Sequence, residues 1–435
     1  MNIVSLILKL FSNTYFISFL AVITCSFFYY LKGDFKWQRK IVWMTYSLLF
    51  IGILTIFIKG EAYRIHQPRV WDFTAFYLYG KVAALGYNFY IPENFSMVFN
   101  GLNLPFQASQ LTHFMESLVD VGFPYPPPTM LYFMPLGFLT YETALVIWTL
   151  FILLFLFADI YLIYNQFFSE YKFYGIILIT ILFLIYPMVK FTMYCAQTNF
   201  IVLFFLLLMK RYSNHKFAGI LLALAFLTKP FMLIFGLYFV LSGKWKAITY
   251  FIISGIILSA ISLIVFGSDT FVSYFLNNAT QRIPAWQYSE DVNQSLHAVL
   301  LRTNLITLDK PLIYLIISAT LLGMTILFSR YLLKRNMNDN VWALLLLVGL
   351  LVYPGTLNYY GVVLLFIIFQ FFKQEQPLGL PMAYTIPIIG ILYYLNSVSV
   401  FACICLLLII VIFKTLLQIK QMNLAVNPEI TRQWQ

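Results

Sequence analysis

The 435-residue chain predicts an all-α polytopic membrane protein, and three observations carry that expectation. Hydrophobic residues make up 62% of the chain and charged residues 10%, too little polar surface to solvate a water-soluble fold. Apolar runs of span length recur from end to end, and inside a bilayer only helices and closed barrels satisfy every backbone polar group. Lysine and arginine gather between these runs, the pattern that sets orientation in a membrane. The 19% aromatic content suits interfacial rings and a cavity wall.

The same composition excludes other classes. A net charge of +11 would suggest nucleic acid for a soluble domain, but here the basic residues flank spans and form no patch on a soluble face. Nucleic acid is therefore not an expected partner; the lipid bilayer is. The four cysteines, Cys25, Cys195, Cys403 and Cys405, lie in or beside apolar segments without metal-ligand spacing and read as small core residues. Four dispersed histidines suggest no metal site. No D-x-D, Walker-type, H-E-x-x-H or G-x-S-x-G pattern occurs, and no cofactor is expected. The N-terminal MNIVSLILKLF precedes no small-residue cleavage pattern, so the first apolar stretch reads as a retained span. Residues 1–435 read as a single integral-membrane domain.

Span order follows from apolar runs and basic loops. A first span over Tyr15–Leu31 precedes KGDFKWQRK, which places that loop inside and the N-terminus outside. The second, Ile41–Ile58, delivers a first outer loop of about 59–129. Spans over Tyr141–Tyr164, Phe173–Val189 and Asn199–Met209 follow, ending at the basic stretch Lys210–Lys216. Phe217–Gly243 has basic residues at both ends and Lys229-Pro230 midway. It reads as a hairpin of two short helices, because proline breaks a helix and a single span would misplace one basic cluster. Ala247–Phe266 leads to a second outer loop of about 267–310, and four or five further spans lie between Leu312 and Phe413. The sum is about 12–13 transmembrane helices with a cytoplasmic C-terminus.

Long loops in compact proteins are usually functional. In the first, Asp72 precedes Phe73, Phe76, Tyr77, Gly80 and Ala84 at helical spacing, which predicts an amphipathic helix lying in the interface. Asp72 is a candidate base or simply the helix cap. The tract Phe123–Pro128 stiffens the chain as it re-enters the bilayer, and Tyr125 is its member best able to touch a ligand. Gln197 and Asn199, in MYCAQTNF, either bridge helices or bind hydroxyl groups. Lys229 lies in so apolar a run that it needs an anion, a cavity or a route to the surface, and a lipid-linked phosphate is a natural partner. The second outer loop offers Arg282 and Arg302 as phosphate clamps, with Asn293 and Gln294 between them, and Asn358 and Tyr359 lie between two late spans at the same face.

In order and spacing these motifs resemble glycosyltransferase family 87. The matching elements are Asp72-Phe73-Thr74-Ala75-Phe76, then Gly86, Tyr90 and Pro92, then Tyr125-Pro126-Pro127-Pro128. Ala196-Gln197-Thr198-Asn199 stands for the family's G-Q-x-N, Ala218–Pro230 for its segment ending in K-P, and Asn293-Gln294-Ser295 with Arg302 for its N-Q-S…R. Two departures are Ala196 in place of the family's glycine, and Asn358-Tyr359-Tyr360 where the family often has histidine.

The resemblance implies a GT-C fold with interfacial helices in the first outer loop. It also implies a hexosyltransferase, mannosyltransferase-like, that takes its sugar from a polyprenyl-phosphate donor and inverts the anomeric carbon. The acceptor would be an envelope glycan or glycolipid at the extracytoplasmic face of a bacterial inner (plasma) membrane. Asp72 would be the general base, Lys229, Arg302 and Arg282 would meet the donor phosphate, and Tyr77, Tyr125, Gln197, Asn199, Asn293, Gln294, Asn358 and Tyr359 would line the substrate. A lipid-linked glycan flippase or an O-antigen ligase or polymerase is the alternative.

Overall fold

The computed structural model describes residues 51–55, 57–59, 72–102, 123–169, 172–278, 291–307, 311–373 and most of 392–426. The expected first span, the loop after it and Arg282 lie outside these residues. Among the described residues the chain is helical without strands, and one isolated antiparallel bridge joins Asn293 to Leu357.

Four described helices are long and apolar enough to cross a membrane: Tyr141–Phe168, Trp245–Phe266, Leu312–Lys334 and Val400–Asn423. The helix Trp245–Phe266 buries little but Ala247 and Ser262, while Ile256 and Ile264 are exposed. An apolar face of that extent is stable only against lipid. Shorter apolar helices, Phe217–Thr228, Pro230–Leu241, Asn338–Val352 and Asn358–Gln370, fill the interior.

The expected span over Phe173–Val189 is instead broken. Gly175–Ile185 and Pro187–Cys195 meet at 65°, because Pro187 lacks an N–H and pushes Tyr186 out of helical geometry to φ −69°, ψ 123°.

The segment Phe217–Gly243 folds back on itself at Lys229, whose backbone is extended at φ −149°, ψ 114°. Leu222 and Gly236, equally distant from Lys229 in sequence, face each other across the two arms. Fourteen residues of straight helix would hold them about 21 Å apart. At the other end Gly219 lies so close to the Ala247 carbonyl that a Cβ would overlap it, so both ends of the hairpin sit together.

The helix Asp72–Ala84 departs from the amphipathic expectation. It is buried on all sides, with Phe73, Phe76, Tyr77, Leu78, Tyr79 and Val82 inside. Two glycines make this possible: a Cβ on Gly80 would overlap the Phe133 carbonyl, and one on Gly137 would overlap the Gly80 backbone. Phe76 stacks on Phe133 with centroids 4.3 Å apart, and Tyr79 meets Phe123 at 5.2 Å. The helix is therefore held by protein rather than by the interface, and Asp72 in its first turn is fixed in place.

Several basic clusters meet at one end of the bundle. Lys210 pairs with Asp339 at 3.1 Å and donates to Gln370 Oε1, Lys244 donates to the Tyr238 hydroxyl at 2.7 Å, and Arg335 donates to Asn423. Lys210 lies in the last turn of the 13-residue helix that Asn199 begins, so this basic end and the Asn199 end are about 17 Å apart.

Candidate active site

The site forms at the Asn199 end, around a turn that joins Pro187–Cys195 to Asn199–Arg211. The first helix closes with Ala196 in the left-handed region (φ 50°), the Ala196 N–H donating to Met193 O and the Gln197 N–H to Thr192 O. This pair of bonds is a Schellman cap, whose left-handed residue is usually glycine. Trp148 Nε1 donates to the Ala196 carbonyl at 2.8 Å and clamps the turn. Alanine in this left-handed position carries strain that glycine would not. Ala196→Gly is expected to raise unfolding stability by about 0.5–1 kcal/mol, as measured by thermal unfolding in detergent. A drop in stability would contradict this account of the turn.

The clamped turn aims Gln197, which is 3% exposed, into the centre of the site. Its Nε2 donates to the Asp72 carboxylate and to the Tyr359 hydroxyl at 3.2 Å. Its Oε1 accepts from Lys229 Nζ at 3.3 Å and from the Thr198 N–H at 3.3 Å. One amide thereby connects a carboxylate, a phenol and an ammonium drawn from three distant parts of the chain.

Lys229, at the hairpin tip and 1% exposed, donates to the Tyr125 hydroxyl at 3.1 Å. Its ammonium lies 4.5 Å from the Tyr360 ring centroid and 5.6 Å from those of Tyr125 and Tyr359. Electron-rich ring faces offset part of the hydration that its head group loses on burial. Tyr125 is positioned by its own carbonyl, which accepts from the Tyr90 hydroxyl at 2.6 Å. Thr129 Oγ1 donates to Leu227 O at 2.9 Å and ties the proline tract to the hairpin. Tyr359 is held through its carbonyl by Asn199 Nδ2 at 3.0 Å and Thr192 Oγ1 at 3.4 Å.

Asp72 lies outside the spans, at the start of its helix, where the dipole favours an anion. Burial nevertheless pushes its carboxyl above the usual 3.8, against the opposing effects of the Gln197 hydrogen bond, the Lys229 charge and the Tyr359 hydrogen bond. A carboxylate so placed is a stronger proton acceptor than a solvated one.

Of the residues expected from sequence, Asp72, Tyr125, Gln197, Lys229 and Tyr359 come together here, and Asn199 supports Tyr359. Tyr77 does not line the site: its hydroxyl donates to Leu139 O at 3.0 Å and its buried ring meets Tyr141 edge-on, so it secures the Asp72 helix. Asn293 and Gln294 likewise have their amides bonded away from Asp72 and Lys229. Asn293 Nδ2 donates to Pro354 O and its Oδ1 accepts from the Ser295 N–H. Gln294 Nε2 donates to Asp291 O, and its Oε1 accepts from Ser399 and from the Phe401 N–H. Arg302, expected from sequence at the donor phosphate, donates to Asn293 O at 2.8 Å and lies 3.8 Å from the Asp291 carboxylate. These residues form a clasp that holds 291–302 against 353–358 and so supports Tyr359 from behind. Asn358 differs: its N–H joins the clasp through Val292 O, but its buried amide oxygen has no partner among the described residues. Tyr360, the closest ring to Lys229, does not stand out in the sequence as a site residue, since neighbouring tyrosines rarely converge on one group. The 3₁₀ segment Asn358–Val363 lets them do so.

A lipid-embedded helical bundle that gathers a carboxylate, an amide and a caged ammonium at one end has the elements of a membrane group-transfer enzyme. The family model for glycosyltransferase family 87 matches residues 123–355, more than half of the chain, and the chain belongs to that family: it is a membrane glycosyltransferase. No curated protein and no solved structure matches it significantly. The matched range contains Tyr125, Gln197 and Lys229, while Asp72 and Tyr359 fall on either side of it and join them through folding.

Proposed function

We propose that the enzyme transfers a hexose, mannose by family resemblance, from a polyprenyl-phosphate donor to a hydroxyl of an envelope glycan or glycolipid. The observation that carries this reading is the single amide of Gln197, with Asp72 on its nitrogen and Lys229 on its oxygen. Transfer from a glycosyl phosphate needs a base at the attacking hydroxyl and positive charge at the departing phosphate. Asp72 takes the acceptor proton, the acceptor oxygen bonds to the anomeric carbon, and the bond from that carbon to the phosphate oxygen breaks. The electron pair leaves with the polyprenyl phosphate, whose growing charge Lys229 offsets. One displacement inverts the anomeric centre. Lys229 supplies the cation, so the reading requires no metal.

The clustering of Lys210, Lys244 and Arg335 at the opposite end supports a cytoplasmic placement for that end and for the C-terminus. The site then faces the extracytoplasmic side of a bacterial inner membrane, where a lipid-linked donor is available and nucleotide sugars are not. Membership in a glycosyltransferase family favours transfer over the flippase and ligase or polymerase alternatives.

The test is the purified enzyme with a short-chain polyprenyl-phosphate mannose or a nucleotide-linked mannose, each with an alkyl glycoside acceptor and EDTA present. Transfer from the lipid phosphate alone is the expected result. Transfer from the nucleotide donor, with the lipid donor inert, would overturn the donor assignment.

A further inference from the structure

A carboxylate and an ammonium bound to opposite ends of one amide attract each other, and a small shift of either side chain would bring them into a direct ion pair. In such a pair the Asp72 lone pairs would be occupied by the ammonium, and the ammonium would be neutralised before any phosphate arrived. Gln197 stands between them. We propose that Gln197 is the positioning residue of the transfer, an uncharged spacer that keeps Asp72 and Lys229 from pairing so that each is free for its own part of the reaction. The inference rests on the proposed role of Asp72 as base.

Three features support it. First, an amide is the side chain that suits both neighbours at once: its NH₂ donates to the carboxylate and its oxygen accepts from the ammonium. Reversal would set oxygen against carboxylate and NH₂ against ammonium, so the neighbours fix its orientation. Second, each end carries an additional bond, Nε2 to the Tyr359 hydroxyl and Oε1 to the Thr198 N–H, which stops the amide from swinging away from either charge. Third, the backbone beneath it is immobilised by the cap at Ala196 and the Trp148 clamp. This is far more restraint than a side chain in loose contact with a sugar hydroxyl would need.

The groups facing Asp72 among the described residues are Gln197, Lys229 and Tyr359, with the Tyr125 and Tyr360 phenols beyond them. Lys229 is the one cation in this set, so the acid limb of the pH profile reports how closely Asp72 and Lys229 approach. Loss of the Gln197 hydrogen bond alone would move that limb to higher pH, because a donor that favours the ionised carboxylate is gone. Closure of Asp72 onto Lys229 would move it to lower pH, because a direct ammonium partner favours the ionised form more.

The experiment compares wild type, Gln197→Met and Gln197→Asn in full-length enzyme with polyprenyl-phosphate mannose and an alkyl glycoside. It reads kcat, KM for the donor and the acid limb of kcat/KM. Methionine matches the shape of glutamine without its polar ends. The expected result is a fall in kcat of about 100-fold or more with KM changed less than fivefold, and an acid limb displaced to lower pH. Asparagine, with the same amide on a shorter stem, is expected to recover part of the rate and of the limb. An acid limb that moves upward or stays in place, or a wild-type kcat in Gln197→Met, would overturn the proposal. If Gln197→Met does not fold, Gln197→Leu, of similar size and also without polar ends, takes its place, and an acid limb that does not move to lower pH there overturns the proposal equally. Asp72→Asn in the same assay separates the two levels. Normal transfer there removes Asp72 as base; an inactive Asp72→Asn beside an unaffected Gln197→Met removes the spacer role alone.

Discussion

Asp72→Asn is expected to lower kcat for sugar transfer by about 10³-fold, with donor KM little changed, because general-base removal costs about 10²–10⁴ in rate. The substitution is isosteric, and the asparagine oxygen still accepts from Gln197 Nε2, so the three-way junction stays assembled. The pH dependence has a definite sign. Burial raises the Asp72 carboxyl above 3.8, and a base acts only when deprotonated, so wild-type transfer is lost as pH falls through that raised value. The stability effect runs the opposite way. A carboxyl whose folded pKa is raised contributes stability at low pH and loses it as pH rises through the folded value. Asp72→Asn is therefore expected to unfold at the same temperature as wild type or higher at neutral pH. Inactivity with undiminished stability identifies a chemical role, and transfer within threefold of wild type would remove Asp72 from the step.

Lys229→Met is expected to lower kcat/KM for a polyprenyl-phosphate donor by about 10²–10³-fold, the cost typical of deleting one donor to a developing oxyanion. Methionine fills the same volume inside the Tyr125, Tyr359 and Tyr360 rings, so the cage itself is expected to persist. Lys229→Arg is expected to recover little activity. A planar guanidinium is bulkier than the ammonium it replaces, and its fork does not reproduce a point charge donating to both Tyr125 and Gln197. Steady-state kinetics with varied donor and saturating acceptor measure both effects. A change of less than threefold in Lys229→Met would separate Lys229 from the donor phosphate.

Part of this site is legible in the sequence alone. Asp72 and Lys229 stand out because ionisable groups are scarce in a chain of this composition, and each such group beside a span needs a partner. The hairpin at Lys229-Pro230 is legible for a similar reason: proline and two flanking basic clusters together leave few paths for the chain. Other residues expected at the site are bonded elsewhere in the fold, for an equally definite cause. Tyr77 has the right residue type and spacing, but its hydroxyl is taken by the Leu139 carbonyl. Asn293, Gln294 and Arg302 form a motif of ligand-binding appearance, yet their polar atoms are largely spent on the backbone of 291–302 and 353–358. Whether an amide or guanidinium is free for a ligand depends on its tertiary neighbours, which local patterning does not encode. The break at Pro187 is visible as a proline, but its 65° bend is not.

The sequence by itself determined the membrane class, the helical content and the family motifs, because each depends on composition or on order along the chain. Hydrophobicity acts through local sums, and a bilayer accepts helices wherever those sums are large enough. Only the tertiary structure decided that Asp72, Gln197, Lys229 and Tyr359 form one junction, and that Gln197 stands between the two charges. Those four come from segments separated by up to 287 positions, and they meet because glycine contacts, a left-handed cap and a hairpin tip bring their backbones close. Convergence of that kind is a property of packing, and packing is settled when all the segments are in place together.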